Sequence, residues 1–107
     1  MKRNTPFVKT LKSARQFKRL FGNSGKKKGL SSGLVSLKKG RSVGTHNTGR
    51  KEEILVILQG KARVVIAGRR FILRSGKILY IPPDTLHNVE NMAARTLKYL
   101  YFTAVVI

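Results

Sequence analysis

Cysteine and tryptophan are absent from this chain, and it holds only two histidines and four acidic residues. Without cysteine there are no disulfides, thiolate metal ligands or cysteine nucleophiles. No apolar run approaches the roughly 18 residues of a membrane-spanning helix, and the stretch Met1 to Phe21 is basic without the continuous apolar segment of a signal peptide. A cytoplasmic protein with no membrane partner is the expectation. Glycine-rich phosphate loops, a Ser-His-Asp order and zinc-finger spacings are also missing, so catalysis by those routes has no support.

What is plentiful is positive charge. Lys and Arg number 23, the formal net charge is +19 and the pI is about 11.5. Between Met1 and Arg41 there are 13 basic residues and no acid, so the remaining 10 bases share the rest of the chain with all four acids. Such a field steers anions toward the protein, whether nucleic acid, an anionic membrane surface or a phosphorylated small molecule, unless it serves only to keep the chain solvated. Nucleic acid is accordingly an expected partner of the basic N-terminal third. Phe7, Phe17 and Phe21 are spaced for burial rather than for stacking on bases. Hydrophobic residues at 41% set the chain apart from disordered sequences, and 107 residues suffice for one core.

The periodicity divides the chain in two. In "SARQFKRLF", Ala14, Phe17, Leu20 and Phe21 recur at helical spacing between an N-cap candidate, Ser13, and a stop, Gly22, which predicts a short helix over about 13–21. "GNSGKKKG", Gly22 to Gly29, reads as a flexible loop, so residues 1–29 form a basic segment and 30–107 a domain. Beyond Leu30, short apolar runs alternate with glycine and proline at intervals of about ten residues, an all-β signature. Eight strands are expected, in "GLVSLKK", "SVGTH", "EILVILQ", "KARVVIA", "RRFILR", "ILYIP", "HNVEN" and "TLKYLYFTAVV", with Gly68 turning a hairpin. So many short strands must close into a barrel or sandwich to protect their edges.

Two stretches share one pattern of spacing. With Gly40 just ahead of the first, "GTHNTGRKEEILVILQG" and "GKILYIPPDTLHNVEN" place His46, Thr48, Glu53 and Gly60, then Gly76, Pro82, Asp84, His87 and Asn91, at the intervals of the two cupin motifs. Eight of the ten fixed positions agree; Thr48 stands where the family has histidine and Asp84 where it has glycine. Over roughly Leu30 to Ile107 the chain therefore resembles a small single-domain cupin. The resemblance implies a double-stranded β-helix, or jelly-roll barrel, holding a divalent metal (Fe, Mn, Ni, Zn or Cu) on His46, Glu53 and His87. Two imidazoles and a carboxylate suit a first-row metal and leave coordination positions open. Strand alternation allows only one of Glu52 and Glu53 to point inward, and the family spacing selects Glu53.

Thr48 is a poor ligand beside imidazole and is expected to hold water or bind weakly. Asp84 reads as a turn residue and Asn91 as a tie from loop to strand through its amide. The remaining inward candidates are Val35, Leu37, Leu55, Ile57, Val65, Ile72, Tyr80, Tyr99 and Tyr101, the tyrosines also being candidates to line a pocket. No catalytic residue is assigned, and whether the chain is an enzyme is left open. The expected ligand is a small anionic metabolite of carboxylate, keto-acid or sugar type. The alternative is a binding module or dimeric scaffold with a degenerate site and a basic surface that contacts nucleic acid. A homodimer is expected because "ILVILQ" and "LKYLYFTAVVI" are apolar on both faces.

Overall fold

The computed structural model describes residues 6–12, 17–21 and 29–106. Nine strands run β1 Phe17–Phe21, β2 Leu30–Leu37, β3 His46–Asn47, β4 Lys51–Gln59, β5 Lys61–Ile66, β6 Arg69–Arg74, β7 Ile78–Ile81, β8 Leu86–Glu90 and β9 Leu97–Val105. They form two antiparallel sheets, a five-stranded one in the order β1-β2-β9-β4-β7 and a four-stranded one in the order β3-β8-β5-β6. This is the all-β jelly roll expected. All eight anticipated strands are present, although "SVGTH" contributes only His46, the first residue of the two-residue strand His46–Asn47, and a bridge from Ser42 to Glu90. Among the described residues no helix is long and apolar enough to cross a membrane.

The N-terminal helix is a correction. Phe17–Phe21 is a strand, paired antiparallel to β2 with Phe17 opposite Val35 and Arg19 opposite Gly33; residues 13–16 lie outside the described residues. A nine-residue helix gains little by itself in water, whereas an open sheet edge offers a ladder of backbone hydrogen bonds. The sequence accommodates both readings, because Phe17, Arg19 and Phe21 also alternate at the period of a strand.

The core lies between the sheets. Leu37, Leu55, Ile57, Ala62, Val64, Ile81 and Leu97 are each at most 1% exposed, and Val35, Val89 and Tyr99 complete the cluster. Val65 and Ile72 do not belong to it, contrary to the sequence reading. On β5, Lys61 and Arg63 share the face of Val65, while Ala62, Val64 and Ile66 form an apolar face. On β6, Arg70 and Arg74 flank Ile72, while Phe71 and Leu73 pack inward. Turning Val65 and Ile72 inward would have carried four bases into the core, at a desolvation cost far beyond the gain from two aliphatic side chains.

Turns fix the strand registers. Between β4 and β5, Gly60 takes φ +86°, and a Cβ there would stand 2.9 Å from the Thr96 carbonyl oxygen, so the position requires glycine on both counts. Between β5 and β6, Ala67 and Gly68 have φ +48° and +84° in a two-residue hairpin turn.

Candidate metal centre

Pairing of β3 with β8 places His46 opposite His87, with ring centroids 4.1 Å apart. Glu53 comes from the other sheet, on β4, in a row that runs Ser31, Thr103, Glu53, Ile81 across β2, β9, β4 and β7. One ligand atom from each of His46, Glu53 and His87 lies within 4.8 Å of the others. Residues separated by up to 41 positions in the chain thus meet across the gap between the two sheets.

The hydrogen bonds of the two rings set their chemistry. His46 Nδ1 is 2.8 Å from the Gly44 carbonyl and His87 Nδ1 is 3.0 Å from the Thr85 carbonyl. A carbonyl only accepts, so each Nδ1 carries the proton, and Nε2 of each neutral ring keeps its lone pair. Fixing the tautomer in this way is how outer partners prepare histidine for metal. His87, only 2% exposed, has Nε2 3.1 Å from Glu53 Oε1. Two electron-pair donors at that distance need a cation between them, either a proton or a metal ion. Burial of His87 opposes its protonation, but the hydrogen bond and charge of Glu53 and the bond to Thr85 together outweigh it and raise its pKa. This donor set, neutral Nε2 atoms beside a carboxylate, fits a first-row divalent ion.

The three residues line a cavity of about 400 Å³. Tyr99 and Tyr101 line it as expected, but Tyr80 does not: it lies on the outer face of β7, where its hydroxyl donates to Glu52 Oε1 at 2.9 Å. Ile81, fully buried, fixes the alternation of β7, and Tyr80 on the adjacent position must point the other way. The same contact accounts for Glu52, which faces outward as the alternation argument required.

Thr48 also lines the cavity, yet its hydroxyl is largely committed. It donates to the Pro82 carbonyl at 2.7 Å and accepts from the Thr85 amide at 3.0 Å, joining the segment after β3 to the turn before β8. Asp84 has φ +50°, donates its amide to the Gly49 carbonyl and accepts at Oδ1 from Asn47, in keeping with a turn role. Asn91 is fully buried and its amide donates to the carbonyls of Leu37 and Arg95, tying loop to strand. Gly40, Gly60 and Gly76 all take positive φ.

Several lining residues went unnoticed in the sequence. Phe17, Arg19, Ser31, Lys51 and Thr103 face the cavity. The period-2 pattern of Phe17 and Arg19 was the available signal, and the helical reading of the same residues masked it.

Comparison with known proteins agrees with this architecture. The profile of the family described as "Cupin domain" matches residues 33–103. An uncharacterized protein of Methanocaldococcus jannaschii is 33% identical over 76 residues, covering 71% of this chain; the chain spans 59% of that relative's length. A Cupin 2 conserved barrel domain protein of Salinispora arenicola CNS-205 superposes with a TM-score of 0.75 at 21% identity, over 94% of this chain and 90% of that one. A Thermotoga maritima protein described as a predicted oxalate decarboxylase superposes with a TM-score of 0.68 at 20% identity, over 85% and 93% of the two chains.

Proposed function

The chain belongs to the cupin domain family, and from that premise we propose that it holds a divalent metal on His46, Glu53 and His87 and uses it to bind a small anionic metabolite, of carboxylate, keto-acid or sugar type. The observation that carries this reading is the convergence of two tautomer-fixed imidazoles and a carboxylate inside one cavity. A bound divalent ion would supply Lewis acidity to a carboxylate or carbonyl oxygen. The protein's own residues bind and orient the ligand: Tyr99, Val35 and Val89 give apolar walls, and Arg19 and Lys51 give cations. The oxalate decarboxylase description of the Thermotoga maritima neighbour accords with a small carboxylate.

Metal analysis of protein prepared without chelators tests the reading. The wild type is expected to carry metal, and His87→Ala to lose it by about 10–100-fold in affinity, an effect no smaller than that of losing an outer partner. Equal metal in both would overturn the assignment. Affinity is also expected to weaken as pH falls, because His87 must be neutral to ligate. Its pKa is raised above 6.5, so the loss should begin above that pH; an affinity independent of pH would contradict the ligand role.

A second reading, contact with nucleic acid, is favoured by the outer face of the four-stranded sheet. There Lys61 lies opposite Arg74, a like-charged cross-strand pair that is unfavourable without an anion nearby, and Arg70 extends the patch. Binding to random duplex DNA should fall steeply between about 50 and 200 mM salt if phosphates neutralise these residues. A flat salt response would remove this reading.

A further inference from the structure

We propose that Arg19 is a ligand-binding residue that selects for a second acidic group, so that the cavity takes a short-chain diacid with one carboxylate at the metal and the other at the guanidinium. The inference rests on the metal-site reading above and names its ligand class more closely.

Arg19 lies on β1, ahead of the residues that match the family profile, yet it lines the same cavity as His46, Glu53 and His87. It stands at the edge-strand end of a row that runs Arg19, Gly33, Tyr101, Leu55 across β1, β2, β9 and β4. Gly33 has no side chain, and the Tyr101 ring occupies the space: a Cβ on Gly33 would stand 2.6 Å from the ring and 2.7 Å from its hydroxyl oxygen. The phenol therefore reaches over β2 toward Arg19, and Phe17 stacks on it with centroids 6.0 Å apart. Arg19 Nη1 donates to Ser31 Oγ at 3.0 Å, which aims the guanidinium along the row containing Ser31, Thr103 and Glu53. Its positive charge is felt at the Tyr101 hydroxyl, where it partly offsets the upward push of burial on that pKa.

One end of the cavity thus presents guanidinium, phenol and serine hydroxyl, and the other presents the metal ligands. Ser31 and Glu53 are two strands apart, roughly 10 Å between backbones at about 4.8 Å per strand, a span that a short diacid bridges once the side chains are allowed for. Electrostatics favour a doubly charged ligand. Among the described lining residues Glu53 is the one carboxylate, set against Arg19, Lys51 and the divalent ion. Arginine suits the role better than lysine, since its planar fork meets a carboxylate with two parallel hydrogen bonds.

The test compares glutarate with pentanoate, two acids of equal chain length that differ in the second carboxylate, by titration calorimetry on the full chain loaded with Mn²⁺. The wild type is expected to prefer glutarate by about tenfold or more, the worth of a charged hydrogen-bonded pair. Arg19→Gln should lower glutarate affinity by about tenfold or more and so abolish the preference, with a cooperative thermal transition reporting that the variant is folded. Should Arg19→Gln fail to fold, Arg19→Lys takes its place and should lose several-fold of the preference. No preference in the wild type, or an undiminished preference in the variant, would overturn the inference. Metal content measured on the same samples separates the two levels: a protein without metal defeats the metal-site reading and this one with it, whereas a metal-loaded protein indifferent to the second carboxylate defeats this one alone.

Discussion

Thr48 shows how one residue can keep a motif's place while changing its work. Its hydroxyl bridges Pro82 and Thr85 where the family has an imidazole. Thr48→Val should therefore lower stability by about 1–3 kcal/mol, the cost of two lost hydrogen bonds, and leave metal content unchanged. Denaturant unfolding beside metal analysis checks both; a loss of metal with intact stability would instead make Thr48 a ligand. Tyr99 sets an alkaline limit. Burial first, then Glu53 and Tyr101, hold its phenol far above the ordinary value of 10.0. The unfolded chain ionises its tyrosine near pH 10 while the native one stays neutral, so the stability this residue contributes is complete below pH 10 and drains away as pH rises beyond it. The unfolding midpoint should drop above pH 10, and Tyr99→Phe should make that drop shallower.

At the scale of the element, β1 changes what the fold presents. A segment written with helical spacing becomes an edge strand because β2 offers it a partner, and by joining the sheet it brings Phe17 and Arg19 to the mouth of the cavity. The hairpin of β5 and β6 closes tightly at a local cost: Ala67 holds φ +48°, a region unfavourable to a residue with a Cβ. Asparagine accepts that conformation, and Asn-Gly is the preferred pair for this turn. Ala67→Asn is expected to raise stability by ~0.5–1 kcal/mol, read as a shift in urea midpoint at unchanged slope.

For the whole molecule, charge is the dominant peculiarity. Net +19 on 107 residues means self-repulsion in the compact state. Raising ionic strength from about 10 mM to about 150 mM shortens the screening length from about 30 Å to about 8 Å, and the thermal midpoint should rise with it. A midpoint that falls would show instead that attractive pairs such as Arg63–Glu90, at 2.7 Å, outweigh the repulsion. Ile54, Ile78 and Tyr80 leave the outer face of the five-stranded sheet partly apolar, each more than 40% exposed. The homodimer expected from sequence stays a proposal that light scattering can remove by finding a monomer.

By itself the sequence determined the closed β architecture, because short alternating strands cut by glycine and proline have no other way to hide their edges. It also carried the candidate ligands His46, Glu53 and His87, because they stand at ligand positions of two motifs that resemble those of the cupins, strand alternation adding that only one of Glu52 and Glu53 can point inward. Only the tertiary structure decided the conformation of Phe17–Phe21, the outward turn of Tyr80 and the diversion of the Thr48 hydroxyl. Each of those depends on a partner distant in the chain: the open edge of β2, Glu52, or the turn holding Pro82 and Thr85. Local periodicity carries no information about such partners until the sheets have closed.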